Sequence, residues 1–138
     1  ISAVSGAISS AASAIGDTFS KMATKLVDIA LPQLKIISII VEVIGTLLGV
    51  LNPDEKVDEL GDRAVRSDKT PEDFDTTQEY MDYLREEVSF DKDEFDKLSK
   101  EEKLARSAIG SSIAMKAIND KKGFEVTPQT WLTLAKLH

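Results

Sequence analysis

The residues of this sequence best suited to chemistry are carboxylates that follow residue 90. Asp91, Asp93 and Asp96 are spaced like calcium ligands, and Glu102 is the twelfth residue counted from Asp91. A calcium loop of the EF-hand type needs glycine at its sixth position, where this chain has Asp96. Asp91 and Glu94 equally suit the first turn of a helix, where carboxylates are favourable. The sequence therefore predicts neither a metal site nor a cofactor.

Nucleophilic or acid–base catalysis finds no better support. The chain has no cysteine, and its single histidine is the final residue, His138. The serines near the start read as the small-residue surface of a helix, and no phosphate-binding loop or zinc-peptidase motif occurs. We expect that the protein is not an enzyme.

Charge divides the chain into two parts. Residues 1–51 are net neutral, so residues 52–138 carry the whole formal charge of −7. Binding to a phosphate backbone needs clustered lysine and arginine, which an acidic segment does not offer. We therefore expect no sequence-specific binding of nucleic acid.

The most apolar segment is residues 36–51, with the sequence IISIIVEVIGTLLGVL. If it is helical, its small and polar residues form one stripe: Ser38, Glu42, Gly45 and Gly49. The glycine pair allows another backbone to approach closely. A helix of this length spans about 24 Å, which is short of a bilayer core, and Glu42 opposes insertion. We expect helix–helix association on the stripe, with burial in the protein core or contact with a membrane as alternatives.

Residues 1–31 carry a heptad-like apolar seam, typical of a coiled coil, with one irregularity between Ile15 and Phe19. The seam consists of Val4, Ile8, Ile15, Phe19, Met22, Leu26 and Ile29, with Ala11 between its first members. An amphipathic helix packed on its own domain and a self-associating helix both satisfy this pattern. Insertion into a membrane surface is a third reading, although the segment has few basic residues.

Local signals predict the remaining helix boundaries. Pro32 predicts a bend, because proline removes a backbone donor and clashes with the preceding turn. Asn52 followed by Pro53 predicts a helix start, and Thr70-Pro71 begins the next element by the same device. Further helices are predicted over residues 77–88, 100–119 and 129–137, with a short one near Phe95. A capping box at Ser99 opens the helix over 100–119, and Gly123 ends it. The small residues of this helix predict a close helix contact: Gly110, Ser111, Ser112 and Ala114.

These signals predict an all-α fold without a sheet. Residues 1–51 should form a long bent helix or a helix pair, concerned with association or membrane activity. Residues 52–138 should form a small acidic helical domain. The chain begins with isoleucine and ends directly after its last helix, so we expect a fragment of a longer protein.

The opening ISAVSGAISSAASAIGDTFSKMATKLVDIALPQL and the following KIISIIVEVIGTLLGVL resemble hydrophobic regions of phage tail tape-measure proteins in texture. The resemblance covers residues 1–51 and includes no diagnostic motif, so no site residue follows from it. It implies a helical, oligomeric component of a tail tube.

We therefore expect a non-enzymatic, tape-measure-like component of a phage tail or related delivery machine. It would self-associate as a homo-oligomer, contact other machine proteins and contribute to a membrane pore. Its location would be a virion or secreted particle, or the host membrane. The alternative is a soluble helical adaptor or toxin-associated module, secreted or cytoplasmic, that binds a partner protein through its apolar helix.

Overall fold

The computed structural model describes residues 3–123 and 127–137, and all their regular structure is helical. The all-α prediction is thus confirmed. In chain order the α-helices are α1 (Ala3–Ser10), α2 (Ala12–Ala30), α3 (Leu34–Leu47), α4 (Val57–Arg66), α5 (Thr77–Glu87), α6 (Lys92–Asp96), α7 (Lys100–Lys122) and α8 (Pro128–Leu137). Two 3-10 turns occupy Leu31–Gln33 and Pro71–Asp73.

The predicted long bent helix is present between Ala12 and Leu47. α2, the 3-10 turn at Leu31–Gln33 and α3 follow one another without a loop, and the turn contains Pro32 as expected. A second kink lies at Gly16, whose φ of 80° is non-helical. This kink coincides with the irregularity of the apolar seam, because the broken helix changes which residues face inward.

α7 is the central helix, and α1, α2, α3, α4 and α5 all pack against it. A helix surrounded in this way buries most of its middle, and the exposed residues of α7 lie in its first two and last three positions. Its buried residues are Ala105, Arg106, Ala108, Ile109, Gly110, Ser111, Ser112, Ile113, Ala114, Met115, Ala117 and Ile118. The capping box at Ser99 and the left-handed Gly123, with φ of 72°, define its ends as predicted.

A close helix contact joins Gly61 of α4 to Gly110 of α7. A methyl group on Gly61 would overlap the carbonyl oxygen of Arg106, and its carbon would lie 3.0 Å from the Gly110 nitrogen. A methyl group on Gly110 would overlap the carbonyl oxygen of Val57. The two backbones therefore touch without intervening side chains. The close contact predicted from the small residues of α7 is present. The sequence did not indicate that Gly61 is the residue that Gly110 contacts.

A buried ion pair lies beside this glycine contact. Asp62 is fully buried and accepts hydrogen bonds from Arg106 Nε at 3.1 Å and from Arg66 Nε at 2.9 Å. Arg66 belongs to α4 and Arg106 to α7, so the carboxylate links the two helices. A buried carboxylate requires such partners, because an unpaired charge in the core is strongly destabilising.

One hydrophobic core receives residues from both predicted domains. Val4, Ile37 and Val41 from the first 51 residues share it with Leu60 and Ile113 from the remainder. The assignment of residues 1–51 and 52–138 to separate domains stays a prediction, as does the coiled coil.

The predicted helix start at Asn52-Pro53 is wrong. Residues 52–55 form a turn in which the Glu55 amide donates to the Asn52 carbonyl oxygen at 3.0 Å, and α4 begins only at Val57. The Asn52 amide also donates to Glu55 Oε1 at 3.1 Å, as in a capping box, but no helix continues from this turn. Arg85 of α5 contacts the turn from outside. It binds the Glu55 carboxylate at 2.6 Å and the Val50 carbonyl oxygen at 2.8 Å, which holds this segment as a loop. The hydrogen bond with Glu55 is also the largest of the interactions that raise the pKa of Arg85.

The glycine contact yields a stability prediction. Gly61→Ala and Gly110→Ala should each lower the free energy of unfolding by at least about 2 kcal/mol, because the added methyl group has no space. Gly6→Ala is the matched control, since nothing lies within 4 Å of its added carbon. It should be neutral or stabilise α1 by up to about 1 kcal/mol. Urea denaturation measures all three, and wild-type stability of both core variants would contradict the contact.

Candidate functional site

The predicted association stripe of α3 lies largely inside the protein. Ser38 is buried, and its hydroxyl lies 3.1 Å from that of Ser111 on α7. Glu42 is half-buried and accepts a hydrogen bond at 2.9 Å from the amide of Val57, the first residue of α4. This face of α3 thus contacts α7 and the start of α4 of the same chain. Its association with a partner helix of another chain stays a prediction.

The two glycines of the stripe have separate roles at the end of α3. Gly45 is buried, and a carbon added to it would lie 2.9 Å from Leu51 Cδ1, so it makes room for that side chain. Gly49 lies beyond the helix with φ of 76°. Val50 N donates to the Gly45 carbonyl oxygen at 2.8 Å, and Gly49 N donates to that of Thr46 at 3.1 Å. These are the bonds of a Schellman C-cap, which favours glycine at this position.

The seam predicted for oligomerisation also lies within the chain. Five of its members are buried: Val4, Ile8, Ile15, Phe19 and Leu26. Met22 and Ile29 are partly buried against the same core. Most of the seam therefore packs within this chain, and only Met22 and Ile29 retain some accessible surface. Self-association through the seam stays a prediction.

The opposite face of α3 is exposed and apolar. Ile39, Val43 and Leu47 have exposed fractions of 48%, 54% and 79%. Their spacing of four residues places them along one side of the helix, over about 12 Å. We call these three residues the α3 stripe. α8, which also packs against α3, exposes Leu134 and Leu137.

A groove of about 760 Å³ lies between α3, the start of α4, α6 and the start of α7. We call it the lysine-lined groove. Its basic residues are Lys35, Lys56, Lys92, Lys100 and Lys103. Its apolar residues are Leu34, Ile39, Val57, Phe90, Phe95 and Leu104. Its acidic residues are Glu42, Asp58, Glu59 and Asp96, and Ser38 and Ser107 complete the lining.

A second cleft, of about 670 Å³, lies where the start of α2, residues 71–80 and the end of α7 meet. Tyr80 lines it, and its ring lies 6.1 Å from that of Phe19 and 5.7 Å from that of Phe74. The Tyr80 hydroxyl is buried and has no hydrogen-bond partner among the described residues. Burial, and secondarily the charge of Glu72, raises the pKa of Tyr80, so the phenol stays protonated.

The carboxylates after residue 90 serve the helices. Asp91 accepts hydrogen bonds from the amides of Asp93 and Glu94 as the N-cap of α6, and Asp96 pairs with Lys92 at 3.1 Å. Within residues 3–123 and 127–137, no three His, Cys, Asp or Glu side chains are grouped to hold a metal ion. His138 lies outside the described residues.

A helix that crosses a bilayer must combine sufficient length with sufficient apolar content. None of the helices in the described part of the chain combines enough of both to cross a membrane.

Comparisons of this chain with protein families, with curated proteins and with solved structures found no match.

Sequence reasoning missed Gly61, Asp62, Arg85 and Arg106 as organising residues. Gly61 interrupts a helical pattern, and such a glycine signals close packing. The pairs Asp62–Arg106 and Arg85–Glu55 join residues that lie 44 and 30 positions apart. No local pattern identifies partners at such separations.

Glu42 provides a test of the inward face. Glu42→Ala should lower the free energy of unfolding by about 1–2 kcal/mol, because the buried first amide of α4 loses its acceptor. Glu42→Gln should cost less, since an amide oxygen can still accept. Glu87→Ala, at an exposed position of α5, is the control. Equal denaturation midpoints for Glu42→Ala and Glu87→Ala would contradict a capping role.

Glu59 provides a pH test. Burial raises its pKa above 4.5, with Asp58 as the second cause. A raised folded pKa means that this group stabilises the protein most at low pH and loses that contribution as pH rises through the folded pKa. Glu59→Gln should match wild type near pH 3.5 and become the more stable by less than about 1 kcal/mol at pH 7. Glu86→Gln, on the exposed side of α5, controls for the general loss of one negative charge. A gain that does not depend on pH, or that the control shares, would contradict the shift.

Proposed function

We propose that this chain is a non-enzymatic helical component of a phage tail or related delivery machine, and that it associates with a second copy of itself through the α3 stripe. The observation that supports this proposal most directly is the exposure of Ile39, Val43 and Leu47 on a helix that is otherwise packed. Apolar patches on a protein surface commonly mark interaction sites.

The shape of the stripe suits a helix–helix contact. Its residues recur every four positions, so they form a ridge of the kind that packs into the groove of a facing helix. Because the contact would be isologous, one stripe would face the same stripe of the second copy.

Electrostatic repulsion between two copies is weaker at the α3 stripe than elsewhere on the surface. The chain carries a net charge of −7, so two copies repel each other over most approaches. Residues 34–51 contain a single carboxylate, Glu42, which binds the Val57 amide on the inward side of α3. The α3 stripe is therefore a surface on which two acidic copies can meet with little repulsion.

The stripe is small for a permanent dimer. Stable interfaces bury about 800 Å² on each partner, which is more than three side chains supply. We expect weak association of the isolated chain. In a tail tube or secreted particle, where copies would be held side by side, a weak contact becomes effective because the local concentration is high.

The double variant Val43→Lys/Leu47→Lys tests this proposal. Sedimentation velocity between about 10 μM and 1 mM should show concentration-dependent association of the wild type and its loss in the variant. The cause would be four lysines facing each other in the dimer. Leu134→Lys/Leu137→Lys is the matched control, since it adds the same charge at exposed leucines of α8 and should leave association intact.

Three outcomes would contradict the proposal. A wild type that remains monomeric throughout the range would remove the self-contact. Loss of association in the α8 control would assign the interface to that helix. Binding to lipid vesicles by a strictly monomeric wild type, abolished by the α3 variant, would assign the stripe to a membrane surface.

A further inference from the structure

We infer that the lysine-lined groove binds an amphipathic helix of a different protein, with acidic residues along its flanks. This site lies beside the α3 stripe but is built mainly from other elements. Of the three stripe residues, only Ile39 lines it; Val43 and Leu47 do not.

Positive charge in the groove is left without partners. Lys35, Lys56 and Lys100 are exposed, and none forms a hydrogen bond or ion pair in the described part of the chain. Lys103 lies over the Phe95 ring at 6.0 Å from its centroid, without a carboxylate partner. The lining thus has one lysine more than it has carboxylates, whereas the chain as a whole has a net charge of −7.

Most of the groove's carboxylates already have partners. Glu42 accepts the Val57 amide at 2.9 Å, and Asp58 accepts the Glu59 amide at 2.8 Å. Asp96 binds Lys92 at 3.1 Å. Glu59 is the remaining carboxylate. It is partly buried, and the positive charges of Arg63 and Lys56 attract it. The backbone hydrogen bonds do not neutralise Glu42 and Asp58, so the lining of five lysines and four carboxylates carries a formal net charge of +1. Four of the five lysines have no ion pair, and their ammonium groups are the donors that the groove offers to an anionic ligand.

The groove also presents an apolar surface. Ile39 is about half exposed, and Phe90 and Leu104 are partly exposed. A ligand with acidic groups alone would leave these side chains in water. An amphipathic helix would place its apolar face on them and its acidic flanks toward the lysines, which is the helix-in-groove mode of recognition.

The distribution of the lysines distinguishes such a helix from other anionic ligands. Lys35 belongs to α3, Lys56 precedes α4, and Lys100 and Lys103 lie in the first turn of α7. Ammonium groups on three segments match several carboxylates spaced along a helix, whereas a fatty acid has only one.

The test uses a fluorescent helical peptide of about 18 residues, a length at which an isolated helix has useful stability in water. It carries leucine on one face and glutamate on both flanks, and a second peptide has lysine at every glutamate position. Fluorescence anisotropy should show binding of the acidic peptide only. The variant Lys56→Glu/Lys100→Glu should weaken it about tenfold or more, and salt should weaken it in the wild type.

Lys21→Glu/Lys25→Glu is the matched control, because it makes the same charge change at exposed lysines of α2 outside the groove. It should bind the acidic peptide within about twofold of wild type. Equal weakening in the two variants, or equal binding of the two peptides, would overturn the proposal. Dodecanoate provides a competition test. If a saturating concentration of dodecanoate displaces the peptide completely, and if Lys56→Glu/Lys100→Glu weakens the binding of dodecanoate as well, the groove would be assigned to a lipid instead.

The Val43→Lys/Leu47→Lys variant separates this inference from the proposed self-association. Because neither residue lines the groove, this variant should retain the acidic peptide while it loses the contact between copies. Loss of peptide binding in this variant would show that the groove does not act as a separate site. Circular dichroism of every variant verifies that the helices are intact.

Discussion

The rest of the structure depends on the direct contact of two backbones, at Gly61 of α4 and Gly110 of α7. Because no side chain separates the helices, Asp62 is brought within hydrogen-bond reach of Arg106. Arg106 and Gly110 lie four residues apart on one side of α7, so the glycine contact and the ion pair specify the same register between the two helices. Close packing excludes water from the Asp62 carboxylate. The ion pair with Arg106 then stabilises this buried negative charge.

The position of α3 follows from that contact. Val57 begins α4 and lies against Gly110, and its amide points to the carboxylate of Glu42. One helical turn earlier in α3, Ser38 meets Ser111, the residue that follows Gly110. At the other end of α3, Arg85 holds the loop that contains Val50 and Glu55. The polar groups of this apolar helix thus serve as its attachments to the rest of the chain.

The features that could be predicted from the sequence are those whose interacting groups lie within a few residues of each other. The capping box at Ser99, the left-handed Gly123 and the bend at Pro32 are of this kind. The prediction at Asn52-Pro53 failed although the expected bond from the Asn52 amide to Glu55 Oε1 forms at 3.1 Å, because the chain makes only a turn there and the same carboxylate also binds Arg85, which lies 30 residues away. The candidate site was predicted as the stripe of Ser38, Glu42, Gly45 and Gly49 on α3, with burial in the protein core as one open alternative, and the sequence did not determine which way the stripe faces. That orientation depends on Ser111 and Val57, which belong to elements distant in sequence.

The attachment of α3 has a consequence for any partner. Rotation of the helix about its axis would separate both Ser38 from Ser111 and Glu42 from Val57, so the two contacts oppose it together. The outward residues, Ile39 and Val43 among them, are therefore presented in a single orientation before any partner arrives. Binding to a preorganised surface loses less conformational entropy than binding to a mobile one. A ridge this small can thus be selective, because little of the interaction energy is spent on ordering it.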